Sequence, residues 1–242
     1  MRYPGAEWKP LSTNYQTGGC TPRYLILHIM EGTLPGSDSW FRNPAAQVSA
    51  HFGVGKDGTV VQWVDTADTA WHAANANGVA IGVEHEGNAG DSLTAAQVAA
   101  DAKLLAWASE HHPIPLQVTN DPQHGSGLAY HGLGGAAWGG HPQCPGSPII
   151  AQRPDLIARA KKVLTGGTPV TVQEHTTGGK LSLAGLAEQY KTAPSTVLRL
   201  TADHFPDRYP QPVADYINGV FRGSIKVTDP MAPGLVLYLP GQ

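Results

Sequence analysis

A mostly apolar run over residues 23–30 constrains the fold most strongly, because a run of this length and composition predicts a strand buried in a sheet. Residues 50–54 and 59–64 predict two further strands. They are joined at Gly55–Gly58, where an Asp-Gly pair tolerates positive φ and therefore favours a hairpin. Residues 79–86 predict a fourth strand.

Helical segments follow these strands. Asp91–Thr94 offers capping residues ahead of the run Ala95–Ala108, which has one apolar face. That face carries Val98, Ala102, Leu105 and Ala106. A second helix is predicted at about Arg153–Leu164. Strands interleaved with helices indicate an α/β fold with a mixed central β-sheet flanked by helices.

The composition is typical of a loop-rich globular protein, since the 242 residues include 29 glycines, 20 prolines and only 14% charged residues. The net charge of -3 offers no basic face, so we expect no nucleic-acid partner. Two cysteines do not support a disulfide scaffold. No apolar run approaches the length that spans a bilayer, so we expect no membrane insertion, and Met1–Pro10 lacks the apolar core of a signal peptide.

Three residues that lie far apart in the sequence form a candidate metal site. His28 comes at the end of the first predicted strand, and Cys144 lies thirteen positions after His131. Two imidazoles and one thiolate suit zinc, and three protein ligands leave a position for water, as in catalytic sites. On spacing alone, ordinary core packing of these residues remains the alternative.

The motifs around these residues carry a family resemblance. The segments Val48–Gln62, Ala70–Ala73 and Ala80–Gly87 lie, in this order, between the strand that ends in His28 and the terminal Cys144-Pro145-Gly146. Over about residues 20–165 this arrangement resembles the zinc-dependent N-acetylmuramoyl-L-alanine amidases, the type-2 amidase and peptidoglycan-recognition family. The resemblance implies zinc as cofactor, bacterial peptidoglycan as partner, and hydrolysis of the amide bond between N-acetylmuramic acid and L-alanine.

Two carboxylates are candidates for the general base. Period-two alternation places Glu84 and Glu86 on one face of their strand and His85 on the other. A carboxylate that faces the attacking water accepts its proton and returns it to the leaving amine. The resemblance implies Glu84 as this base. Glu86 is the second candidate for the base. If Glu84 is the base, we expect Glu86 to contact the substrate.

The loop before Cys144 departs from the family pattern. Relatives commonly place lysine, threonine or arginine two residues before the last metal ligand, where this chain has Pro142. We expect His141, one residue earlier, to stabilise the oxyanion instead. The glycine-rich stretch Gly132–Gly140 resembles an insertion, which leaves either His131 or His141 as the second ligand. His131 is preferred because its approach, Gly127–His131, resembles the strand end that carries the ligand in this family.

Trp71 and His72 occupy a position that lines the substrate groove in this family. The resemblance therefore implies an apolar wall from Trp71 and a hydrogen-bonding tip from His72. A half-buried aromatic residue with a surface histidine is the alternative.

A short flexible linker is predicted at residues 165–169, which divides the chain into a catalytic domain over 1–164 and a small α+β domain over 170–242. The second domain has the order strand, helix, helix and strand, and it resembles a LysM module that binds cell-wall glycan. The match is partial, because about 25 extra residues, 203–228, precede the last strand.

Three functional classes follow from these features. The first is a monomeric zinc amidase that waits in the host cytoplasm without a signal peptide and acts on the cell wall after release, as a phage endolysin does. The second is a protein that recognises peptidoglycan without cutting it, which the presence of Cys144 disfavours. The third is a cysteine peptidase with Cys144 as nucleophile, disfavoured by the adjacent Pro145.

Overall fold

The computed structural model describes residues 1–165, 172–178, 181–198, 216, 220, 225–226, 228–231 and 235–240. Among these residues, none of the helices combines the length and the apolar composition needed to cross a membrane.

A six-stranded mixed sheet forms the centre of the first 165 residues, as predicted. Its strands are β1 (Glu7–Trp8), β3 (Tyr24–Ile29), β4 (Phe52–Val54), β5 (Val60–Gln62), β7 (Ala80–His85) and β8 (Gly127–Tyr130). Their order is β1-β5-β4-β7-β3-β8. Strand β3 is parallel to both of its neighbours, β7 and β8, whereas β4 and β5 are antiparallel. A separate antiparallel pair consists of β2 (Tyr15–Gly19) and β6 (Asp68–Ala70).

The hairpin between β4 and β5 forms at the predicted turn. Gly58 has φ +87°, a conformation that glycine adopts without strain. The N–H of Gly55 donates to the carbonyl of Thr59 at 2.8 Å, which closes the turn. The Asp-Gly signal in the sequence therefore fixes the register of these two strands.

Helix α1 (Leu34–Phe41) follows β3, and two longer helices, α2 (Ala95–His111) and α3 (Ser147–Leu164), pack against each other. Thr94 caps α2 in a capping box, in which its side chain and that of Gln97 each bond to the other's backbone N–H. The apolar face predicted for this helix is buried.

Helix α3 begins at Ser147, six residues before the predicted start at Arg153. Pro148 fits the first turn, where its missing N–H has no partner to lose. Pro154 lies inside the helix, where it cannot donate to the carbonyl of Ile150; the Arg153 Nε instead donates to that carbonyl at 3.2 Å. This substitute hydrogen bond explains why the helix continues through a proline.

The two faces of the sheet have different coverings. Leu25, Leu27 and Ile29 of β3 pack in the cluster that α2 and α3 share. Tyr24 and Ile26 point to the opposite face, where they pack with Trp138. This opposite face ends in a cleft, because no long helix covers it among the described residues.

The described residues of the C-terminal part bury a cluster of their own, with Leu183, Leu186 and Leu237 fully inside it. Strand β9 (Val172–Thr176) pairs antiparallel with β10 (Val236–Pro240), and helix α4 (Leu183–Gln189) lies between them in sequence. Residues 194–198 are also helical. In chain order the described elements are β9, α4, the helical residues 194–198 and β10, with residues 216 and 220 also helical. The predicted linker, apart from Thr165, and most of the 203–228 insertion lie outside the described residues.

Candidate active site

A cleft of about 700 Å³ lies at the carboxyl ends of three parallel strands, β3, β7 and β8. His28 and Glu84 are register partners on β3 and β7, so their side chains share the face of the sheet that is turned away from α2 and α3. His131 follows β8 directly. The strand ends therefore deliver three polar side chains into one cleft.

His28, His131 and Cys144 come together in this cleft. One ligand atom from each residue lies within 4.8 Å of the other two. Both histidines are buried and Cys144 is partly buried. Of the two histidines that the sequence left open as the second ligand, the structure brings His131 into the cluster.

The loop before Cys144 folds back onto the end of β8, and this explains the wide spacing between His131 and Cys144. The N–H of Gly132 donates to the carbonyl of Cys144 at 2.8 Å. A Cβ on Gly132 would lie 2.8 Å from the Pro142 carbonyl oxygen and 3.0 Å from that of Cys144. Glycine at 132 therefore permits the close approach that brings Cys144 beside His131.

The ring of His131 has a fixed hydrogen-bond pattern. Its Nε2 lies 2.7 Å from the carbonyl oxygen of Trp138, which can only accept. Nε2 therefore carries the proton and Nδ1 keeps a lone pair for a metal. Histidine ligands commonly donate their other ring N–H to a backbone carbonyl in this way.

Burial controls the charges of the three candidate ligands. It lowers the pKa of His131, and it lowers that of His28 well below the usual range for histidine, so both rings are neutral at pH 7. Burial also raises the pKa of the Cys144 thiol to about 12, with the nearby Glu84 carboxylate adding to the effect. Two neutral imidazoles and a thiol form a donor set of the kind that zinc takes, and a bound cation favours the thiolate.

Glu84 is the partly buried acid of the cleft. Its Oε1 lies 3.9 Å from Nδ1 of His28, and its Oε2 is buried without a hydrogen-bond partner among the described residues. Burial raises the pKa of this carboxyl to about 7. An acid with a pKa near neutrality exchanges protons readily in both directions at physiological pH. The carboxylate thus lies beside His28 with one oxygen that has no partner among the described residues, which suits a group that bonds to a reacting water.

The family model for Amidase_2, N-acetylmuramoyl-L-alanine amidase, matches residues 18–147, more than half of the chain. The chain belongs to this family. Its match to N-acetylmuramoyl-L-alanine amidase A of Achromobacter lyticus is 48% identical over 103 residues, which are 41% of this chain and 58% of that relative. The matched region thus spans less than two thirds of the relative's length.

Solved structures agree with the Amidase_2 fold. The crystal structure of Staphylococcus aureus hydrolase AmiA in complex with its ligand has a TM-score of 0.54 and 17% identity, and the match covers 69% of this chain and 88% of that one. The structure of a mutant of PlyL has a TM-score of 0.50 and 15% identity, with 64% of this chain and 98% of that one covered. At these identities the likeness concerns the fold alone.

His141 lies in the wall of the Amidase_2 cleft. Its ring centroid is 4.9 Å from that of His131, and the side chain is exposed. An exposed donor beside the ligand cluster is able to reach a substrate oxygen. Pro142 at the neighbouring position has no side-chain donor.

Glu86 is placed differently from the expectation that it contacts substrate. It is not among the residues that line the cleft, and its Oε2 accepts a hydrogen bond from the Lys56 N–H at 3.0 Å. Strand β7 ends at His85, so the alternation that would carry Glu86 into the cleft stops one residue too early. We therefore leave Glu86 out of the proposed site.

Trp71 and His72 both line the cleft, but His72 does not offer a free polar tip. The ring of His72 is turned inward, with Nδ1 3.1 Å from Nε2 of His28 and Nε2 3.4 Å from the Ala80 carbonyl oxygen. Both ring nitrogens are therefore engaged inside the protein. Trp71 lines the cleft wall.

Some cleft residues were not predicted from the sequence. Trp40 on α1 lines the cleft and is 53% exposed, which is unusual for a tryptophan. The neighbouring Val48 is 39% exposed. In the sequence, Trp40 directly follows the polar stretch Ser37-Asp38-Ser39, which could have indicated an exposed aromatic side chain. The carbonyl of Trp138, which orients His131, has no sequence signal because every residue carries one.

Proposed function

We propose that the chain hydrolyses the amide bond between N-acetylmuramic acid and L-alanine in peptidoglycan, and that His28, His131 and Cys144 hold a zinc ion for this reaction. The observation that carries the proposal is the cluster of these three ligands with the Glu84 carboxylate beside His28, its Oε2 buried and unpartnered among the described residues, in the cleft of an Amidase_2 domain. A zinc ion in such a site supplies Lewis acidity, which polarises a carbonyl and lowers the pKa of a water molecule.

Glu84 acts as the general base in this proposal. Its carboxylate accepts a proton as water attacks the carbonyl carbon of the lactyl amide. It returns the proton to the nitrogen of L-alanine as the C–N bond breaks. The products are a muramic acid carboxylate and a peptide with a free amino terminus. A pKa of about 7 suits Glu84 to both transfers.

His141 and the cleft walls assist this reaction. The exposed ring of His141 donates a hydrogen bond to the oxygen on which negative charge develops. Trp71 and Trp40 offer apolar surface against which sugar or peptide packs. These groups orient the amide between Glu84 and the ligand cluster.

The thiol of Cys144 is poorly suited to act as a nucleophile. Reactive cysteines have lowered pKa values, whereas burial raises the pKa of Cys144 to about 12. This supports the ligand role over the cysteine-peptidase alternative.

Digestion of purified peptidoglycan tests the proposal. We expect new L-alanine amino termini and no new reducing sugar ends; the activity is lost with a chelator and returns with zinc. Cys144→Ala and Glu84→Gln variants are the controls, and both are expected to release nothing above background. Reducing ends would indicate a glycosidase, and binding without any product would indicate a recognition protein.

We also propose that residues 170–242 form a LysM-like module that binds wall glycan, and that the whole chain works as an endolysin after release from the cytoplasm. The order of the described C-terminal elements supports the module. Soluble N-acetylglucosamine oligomers are expected to reduce co-sedimentation of the full-length Cys144→Ala variant with peptidoglycan. Unchanged sedimentation would contradict glycan binding.

A further inference from the structure

The ring of His72 lies between the candidate ligand His28 and a backbone carbonyl. Its Nδ1 is 3.1 Å from Nε2 of His28, and its Nε2 is 3.4 Å from the carbonyl oxygen of Ala80. The side chain is buried, with 9% exposed. The three groups form one chain of hydrogen bonds that starts at the ligand and ends at the backbone of β7.

The donor and acceptor in each of these hydrogen bonds follow from the carbonyl of Ala80, at which the series ends. A carbonyl oxygen only accepts, so Nε2 of His72 carries the proton, and Nδ1 of the same neutral ring accepts. Nε2 of His28 must then donate to that Nδ1. A neutral His28 with its proton on Nε2 has a lone pair on Nδ1, the atom that lies 3.9 Å from Oε1 of Glu84.

Both rings have to be neutral for this assignment. Both side chains are buried, with 2% of His28 and 9% of His72 exposed, and burial disfavours a charged ring. Each ring therefore carries one proton. The hydrogen bonds determine which ring nitrogen carries that proton.

The sequence around His72 provides the space and the anchor for its ring. A Cβ on Gly82 would lie 2.6 Å from Cγ of His72, so only glycine at this position of β7 leaves room. The Oδ1 of Asn77 accepts hydrogen bonds from the N–H groups of His72 and Ala73, at 3.0 and 2.7 Å. Neither feature is needed for a side chain that only lines a groove.

We propose that His72 is a positioning residue, which accepts a hydrogen bond from Nε2 of His28 and thereby keeps Nδ1 of His28 unprotonated for the metal. The inference rests on the proposed function for the identity of that metal. Outer hydrogen-bond partners of histidine ligands act in this way, and their removal costs about 10- to 100-fold in metal affinity.

A pair of substitutions separates hydrogen bonding from packing. His72→Asn keeps an oxygen acceptor near the position of Nδ1 but loses most of the ring volume. His72→Phe keeps the volume but has no acceptor. If His72 positions His28, the Asn variant retains zinc affinity within a few-fold and the Phe variant loses about 10- to 100-fold. The reverse order would show that His72 only fills space, and would overturn the proposal.

The tautomer of His28 is measured directly by ¹⁵N NMR of the histidine rings in the zinc-free, full-length protein. We expect the proton on Nε2 in the parent and in His72→Asn, and a mixture of tautomers in His72→Phe. His124→Phe, at an exposed histidine, is the matched control and should leave the spectrum of His28 unchanged. A parent protein with the proton on Nδ1 of His28 overturns the proposal without any variant.

The zinc-free spectrum also separates this inference from the proposed function. If the parent shows the Nε2 tautomer but neither binds zinc nor cuts peptidoglycan, the proposed function fails while the hydrogen-bond assignment stands. If the parent cuts peptidoglycan with zinc but shows the other tautomer, only the role of His72 fails. Thermal unfolding shows whether each variant folds. If a variant does not fold, the tautomer of His28 in the parent spectrum still tests the proposal.

Discussion

Replacing Glu84 by glutamine is expected to stabilise the zinc-free protein at high pH. The carboxyl has a pKa of about 7 in the folded protein, against 4.5 for an ordinary glutamate, a difference of about 2.5. At about 1.4 kcal/mol per pKa unit, the buried carboxylate costs the fold about 3 kcal/mol when fully ionised. Glutamine carries no charge and avoids this cost.

The sign of the pH dependence follows from the raised pKa. The folded protein holds the Glu84 proton up to about pH 7, whereas the unfolded chain releases it near the ordinary glutamate pKa of 4.5. The stability contributed by the protonated form is therefore complete below pH 4.5 and is lost as the pH rises to 7. Between about pH 5 and pH 8, the stability of Glu84→Gln relative to the parent should rise by about 2.5 kcal/mol.

Urea unfolding followed by tryptophan fluorescence, in the presence of a chelator, measures this difference. All six tryptophans lie between residues 8 and 138, so the signal reports on the Amidase_2 region. Glu86→Gln is the matched control for the change from a carboxyl to an amide, because Glu86 accepts a hydrogen bond from the Lys56 N–H and does not line the cleft. A difference between Glu84→Gln and the parent that stays flat across the pH range would refute the reasoning.

Three further predictions concern the metal, the oxyanion and the cleft wall. Elemental analysis should show that His131→Ala and Cys144→Ala lose bound zinc, while His141→Ala keeps one ion per chain. Zinc loss in His141→Ala alone would reverse the ligand assignment. His141→Ala should lower kcat about 100-fold with zinc still bound, because a donor to the oxyanion is removed, and turnover within a few-fold of the parent would exclude the role. Trp40→Ala should raise KM for a muramyl peptide several-fold with kcat nearly unchanged, since this exposed side chain lies in the cleft wall; a fall in kcat alone, in initial-rate measurements, would contradict it.

Elements with strong local signals were predictable from the sequence. The buried strand at residues 23–30, the hairpin at Gly58 and the helix that Thr94 caps all form as expected, because apolar period, turn chemistry and capping act over a few residues. The start of α3 was not predictable, since the side chain of Arg153 compensates for Pro154. That compensation depends on a side-chain conformation that sequence patterns do not report.

Some residues of the candidate site were also predictable from the sequence, and others were not. The family motifs pointed to His28, Glu84 and Cys144, all of which line the cleft. The sequence left His131 and His141 open, because the backbone contact between Gly132 and Cys144 determines which of them reaches the cluster. The inward turn of His72 depends on the space above Gly82, a tertiary contact that no spacing rule contains.

Digestion of peptidoglycan in ¹⁸O-labelled water, followed by mass spectrometry of the products, tests the central claim most directly. If the chain cuts the amide between N-acetylmuramic acid and L-alanine, one labelled oxygen enters the lactyl carboxylate of the sugar product. The released peptide then carries a free L-alanine amino terminus and no label. Label at a reducing sugar end, or in the carboxylate of a stem-peptide residue, would contradict the account.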